Sequence, residues 1–148
     1  MTVQSQSETK VIPISSRATM PPSFKSKNFA QSVGFALNGL RLAFKSERNL
    51  RTQAGLAALT IAAGVLLGIS PVEWAILVLC MGVMMAVETL NTAIEYTVDL
   101  MTGGIYHEKA KAAKDAAAGA CLLTAATVAA TGACIFVPHL WQLVQRWF

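Results

Sequence analysis

An all-α membrane protein is the fold class this sequence predicts, and two observations predict it. Of the 148 residues, 54% are hydrophobic and only 14% charged, with a mean hydropathy of +0.50. That balance is too apolar for an ordinary soluble domain. The charges are also unevenly placed: 21 consecutive residues between Arg51 and Glu73, and 30 between Asp115 and Arg146, contain no Asp, Glu, Lys or Arg. A bilayer core needs about 20 residues of helix, so both stretches are long enough to cross. The segment between them, from Trp74 to Val98, is apolar apart from Glu88 and Glu95. Three spans are therefore expected, near 52–70, 74–98 and 116–137. A soluble bundle of buried helices is the alternative, but so small a chain has too few remaining residues to wrap three such helices.

Taken in order, residues 1–28 form a polar leader, opening with MTVQSQSETK where a signal peptide would be apolar. Phe29, Val33, Leu37, Leu40 and Phe44 then recur at spacings of three and four. They predict an amphipathic helix with a basic polar side, suited to lying in the membrane interface. The polar segment KSERNLR leads into the first span, which is rich in Ala and Gly, residues that allow close helix packing in a membrane. GISP, residues 68–71, is a tight connection with Pro71 at a helix start. After the second span Gly103 and Gly104 stop the helix, and HEKAKAAKD leads helically into the third. Pro138 closes that span, and His139, Trp141, Arg146 and Trp147 suit an interfacial tail over residues 138–148.

Charge sets the expected orientation. Residues 1–51 carry eight Lys or Arg against two acidic residues, and the loop after the second span adds Lys109, Lys111 and Lys114. Short loops rich in Lys and Arg stay in the cytoplasm. The N-terminus and the 99–115 loop are thus expected there, with the C-terminus on the far side. Topology and anionic lipid explain the net charge of +4 without nucleic acid as a partner. Cys80, Cys121 and Cys134 show no metal-ligand spacing and read as small packing residues.

VETLNTAIEYTVDL, residues 87–100, holds the chemistry. At about 100° per residue, Glu88, Asn91, Glu95 and Asp99 fall within an arc of about 80°. This polar stripe must face protein or water, because a lone charge in hydrocarbon costs several kcal/mol. Its Glu95–Asp99 end emerges on the expected cytoplasmic side. Two further clusters, Glu47 with Arg48 and Arg51, and Lys114 with Asp115, are expected at the same membrane surface. Carboxylates beside an amide offer hard oxygen ligands for magnesium, and Lys or Arg can balance phosphate charge. Each part also has a plainer reading: the glutamates as interhelical hydrogen bonders, Asn91 as a packing residue, and the lysines as topology determinants. No Gly-rich nucleotide-binding loop is present, so phosphate transfer would need another architecture.

ETLNTAIEYTVDL followed by YHEKAKAAKDAAAGA resembles the signature of the small prokaryotic integral-membrane lipid kinases, the diacylglycerol kinase and undecaprenol kinase group. The likeness covers roughly residues 29–137, from the amphipathic helix through all three spans. It implies a membrane domain over those residues and a homotrimer of three-span subunits with active sites between neighbours. It also implies an inner-membrane enzyme using magnesium and ATP to phosphorylate a lipid alcohol. By this resemblance Glu88 is the catalytic base for the lipid hydroxyl, and Asn91 is the amide beside it. Glu47 and Glu95 bind the metal that carries the ATP phosphates. Asp99, Lys114 and Asp115 lie on the nucleotide side, with Lys114 neutralising transferred charge. Arg51 is the basic residue at the entrance to the first span, on the substrate side. Gly39, Leu40 and Arg41 match a G–L–R stretch where nucleotide contacts occur.

Three departures accompany the match. The Gly103–Gly104 pair lengthens the path from Asp99 to Tyr106 and His107 by one residue. Gln53 stands where the diacylglycerol branch tends to carry an acidic residue, and the leader is longer than usual. The phrases AIEYTVDL and AKDAAAGACLL look closer to the undecaprenol branch. Diacylglycerol, giving phosphatidic acid, is retained as the expected substrate, with undecaprenol, giving undecaprenyl phosphate, as the alternative. A small transporter or channel subunit would also explain a buried acidic stripe, but it leaves Glu47 and Lys114–Asp115 without a role. A non-enzymatic membrane scaffold should tolerate loss of the Glu95 charge.

Overall fold

The structure is a computed structural model that describes Ser26 and residues 28–146. The polar leader up to Lys25, Lys27, and Trp147 of the tail lie outside the described residues. Among the described residues four helices follow one another: α1 (Phe29–Ser46), α2 (Arg48–Leu67), α3 (Pro71–Thr102) and α4 (Glu108–Gln145). The last three are long and apolar enough to cross a membrane, as expected of an all-α membrane protein.

The chain divides by contacts into residues 1–37 and 38–148. In the first part the Asn28 side chain accepts a hydrogen bond from the Gln31 N–H at 2.9 Å, satisfying one of the donors a helix start leaves free. In the second part α1 ends at Ser46, and Glu47 adopts an extended conformation (φ −94°, ψ 119°) as the N-cap of α2. The Arg51 guanidinium closes this junction, donating to the carbonyls of Phe44 at 3.1 Å and Lys45 at 2.8 Å. A cation is favourable where a helix presents its unpaired carbonyls. Ala43 and Leu50 are buried at the same junction.

The α2–α3 hairpin turns as its sequence dictates. Gly68 takes a left-handed conformation (φ 64°), and the Ile69 N–H returns to the Gly64 carbonyl at 3.2 Å, a Schellman-type stop. Ser70 and Glu73 then form a capping box, each side chain accepting from the other's backbone N–H, with Pro71 in the first turn. Ile69, Leu77 and Ile135 form the buried cluster at this end, with Trp74, Met81 and Phe136 packed against it. α3 packs most extensively on α4, and α2 touches both.

Two boundaries differ from the sequence reading. The polar KSERNLR segment is helical almost throughout, so α2 starts at Arg48 rather than near residue 52. Pro138 does not end the last helix; α4 runs through it to Gln145. Proline removes one N–H but leaves the turns on either side free to continue. Between α3 and α4 the glycines do break the chain, with φ 60° at Gly103 and 78° at Gly104. His107 then caps α4 through Nδ1, which accepts from the Lys109 N–H at 3.2 Å.

Candidate active site

The acidic stripe occupies the end of α3 remote from the hairpin turn. Glu88 is 2% exposed, Asn91 8% and Thr92 3%, so three polar residues are buried within one turn of an apolar helix. Burial of this kind is tolerated only with hydrogen-bond partners. The Glu88 carboxylate receives one from α2, where Gln53 Nε2 donates to its Oε2 at 3.1 Å. One turn on, Asn91 Nδ2 donates to Glu95 Oε1 at 3.0 Å. Thr92 Oγ1 donates back to the Glu88 carbonyl at 3.1 Å. On the other side the Cys121 thiol lies 3.9 Å from the Val87 carbonyl, which brings α4 against the same turn of α3.

Among the described residues two amide oxygens, Gln53 Oε1 and Asn91 Oδ1, are buried without a hydrogen-bond partner. Such orphans are uncommon in folded proteins and call for a physical reason. Both belong to amides whose nitrogen donates a hydrogen bond to a carboxylate. The amide orientation is therefore imposed by the charge it serves.

Toward the α3–α4 loop the stripe becomes charged and open. Lys114 Nζ is 2.6 Å from Asp99 Oδ1, joining the start of α4 to the end of α3. Lys111, rather than Lys114, pairs with Asp115, one turn apart on α4. Asp99, Lys114 and Asp115, with Tyr106 and Gly104, line a cleft of about 430 Å³. Of the residues expected from sequence, Asp99 and Lys114 are thus brought together, as are Asn91 and Glu95. Glu47 is half-buried at the α1–α2 break and makes no side-chain cap bond. The Arg51 guanidinium is engaged by α1 carbonyls, and Arg41, Gly39 and Leu40 are exposed on α1.

Among the described residues no three His, Cys, Asp or Glu side chains group as a complete cation cage. Magnesium does not require one: it is held by one or two carboxylates and completes its shell with water and phosphate oxygens. Glu95 beside the orphaned Asn91 Oδ1 offers hard oxygen donors of the right kind. Thr92 is a polar partner of Glu88 that the sequence does not single out, and Gln53 is one that enters the sequence reading only as a departure from the family pattern.

Apolar helices of spanning length, with a buried carboxylate-and-amide cluster on α3 and a charged cleft toward the α3–α4 loop, define an integral membrane protein that carries polar groups within a long apolar helix. The profile of the family described as Prokaryotic diacylglycerol kinase matches residues 34–136, and the chain belongs to that family. A diacylglycerol kinase of Synechocystis is 40% identical over 117 residues, covering 79% of this chain and 67% of the relative. An undecaprenol kinase of Bacillus subtilis is 43% identical over 112 residues, covering 76% of this chain and 90% of the relative. A diacylglycerol kinase of Escherichia coli K12 is 32% identical over 93 residues, covering 63% and 75%.

Proposed function

We propose that this protein is a membrane lipid kinase that transfers the γ-phosphoryl group of ATP to a lipid hydroxyl. The observation that carries the reading is Glu88: a buried carboxylate on a membrane-spanning helix, held by an amide and adjacent to a second amide–carboxylate pair. Glu88 takes the hydroxyl proton as the lipid oxygen bonds to phosphorus and the bond to ADP breaks. Phosphoryl transfer is catalysed chiefly by alignment and charge neutralisation, which fixed side chains at a membrane surface supply. Asn91 orients Glu95 through its hydrogen bond. Lys114, held by Asp99, balances phosphate charge in the open cleft with Asp115 alongside. Arg41 contributes on the nucleotide side and Arg51 at the substrate entrance.

Glu95 and Glu47 are the residues that would hold magnesium, which when bound would screen the charge of the ATP phosphates. The Lys-rich segments support a cytoplasmic location for this site through the positive-inside rule. The N-terminus would then be cytoplasmic and the C-terminus across the membrane. Assembly as a homotrimer, with sites between neighbouring subunits, follows the pattern the sequence resembles.

Diacylglycerol is the substrate we favour, as the named substrate of several relatives. Undecaprenol is the second reading, favoured by the match to nearly the whole of the Bacillus enzyme. The experiment is phosphorylation by the purified chain in mixed micelles with γ-labelled ATP, comparing the two lipids at equal mole fraction. Magnesium-dependent labelling of diacylglycerol at the higher kcat/KM is expected. A large preference for undecaprenol would reassign the substrate, and labelling of neither lipid would sink the kinase reading.

A further inference from the structure

Gln53 lies 35 positions before Glu88 in the chain, yet its amide makes a side-chain hydrogen bond that reaches the buried carboxylate from α2, while the Cys121 thiol approaches the same carboxylate from α4. Its geometry is one-sided. Nε2 donates to Glu88, while Oε1 is buried with no partner. Turning the amide over would set two acceptors against each other, so Glu88 dictates the orientation and an unpaired carbonyl is the structural cost.

The chemistry of the partner also matters. Among the described residues no Lys, Arg or His forms an ion pair with Glu88. A cation there would hold the carboxylate but oppose its taking up a proton, and a second carboxylate would compete for that proton. A neutral amide fixes the group without adding charge. The rotation of a carboxylate about its last bond is broad when unrestrained, so tying Oε2 also directs the lone pairs of the other oxygen. Gln53 stands at one end of an apolar cleft of about 320 Å³ between the spans, lined by Leu56, Leu77, Met81, Met84 and Phe136 among others. In that apolar setting water competes weakly for the bond.

We propose that Gln53 is the positioning residue for Glu88 in lipid phosphorylation, holding the carboxylate from α2 in the orientation that meets the lipid hydroxyl. The inference rests on the reading of Glu88 as the base.

The test uses the full-length purified chain in micelles with MgATP and whichever of the two lipids it phosphorylates faster. Gln53→Leu, similar in size and compatible with the apolar cleft, should lower kcat by about 10- to 100-fold, the usual scale for losing a group that orients a functional one. KM for MgATP should stay unchanged. Gln53→Asn, which keeps the amide but is one methylene short, should show the same pattern and covers the case in which the leucine variant fails to fold. The deciding readout is coupling. In a Glu88→Asp background, where the carboxylate has already withdrawn from the amide, Gln53→Leu should cost no more than about 2-fold. An equal loss in both backgrounds, a loss confined to KM for MgATP, or wild-type kcat in both Gln53 variants would overturn the proposal. Failure of the base reading is separable, because it appears as full turnover in Glu88→Gln with Gln53 untouched.

Discussion

Lys114 is the cation of the proposed chemistry in the open cleft, its ammonium held 2.6 Å from Asp99. An exposed pair of this kind adds little to stability, and the role proposed for Lys114 is to present a positive charge to phosphate. Lys114→Met should therefore raise KM for MgATP by about ten-fold or more, the scale of one charged hydrogen bond, with the lipid KM unchanged. Steady-state kinetics at varied MgATP check this, and an unchanged KM would remove Lys114 from the nucleotide side. The helical period by itself puts Glu88, Asn91, Glu95 and Asp99 on one face, because spacing within a helix is a local property. The bond from Gln53 is not legible in the sequence, because it depends on how α2 packs against α3, which no pattern within either helix encodes. Arg51 reads in the sequence as a substrate-side charge, whereas its engagement with the carbonyls of Phe44 and Lys45 depends on how the chain bends at Glu47.

Among the elements, the α2–α3 hairpin is the most tightly specified, and one residue shows why. A Cβ added at Gly64 would meet the Trp74 ring at 2.9 Å and Ile69 Cδ1 at 3.0 Å. The indole belongs to the cluster that closes this end of the bundle and has little freedom to retreat. Gly64→Ala should destabilise the fold by about 1–3 kcal/mol, as overpacking does, lowering the thermal midpoint in detergent while activity at low temperature survives. Loss of the cap in Ser70→Ala should cost about 1 kcal/mol by the same assay. A midpoint equal to wild type in both variants would contradict this packing. The hairpin is legible in the sequence because Gly68, Ser70, Pro71 and Glu73 each carry a local signal. The extension of α4 past Pro138 is not, since proline removes one hydrogen bond and the surrounding contacts decide whether the helix resumes.

The whole molecule leaves large apolar faces open, with Leu59, Leu66, Leu79 and Leu100 each more than half exposed. In a chain with three helices of spanning length, lipid tails or neighbouring copies cover such faces. The three-span architecture is legible because uncharged runs of this length have few other outcomes. Assembly involves surfaces that composition barely distinguishes from lipid-facing ones. The proposed homotrimer predicts a particle of three chains by native mass spectrometry from detergent, and a monomer retaining full activity would contradict shared sites. The central claim is that the buried carboxylate of α3 removes a proton from a lipid hydroxyl. Its most direct measurement is ATP-dependent lipid phosphorylation by Glu88→Gln, read beside the particle mass of the same preparation. The account predicts transfer abolished with the assembly intact, whereas wild-type turnover in that variant would contradict it.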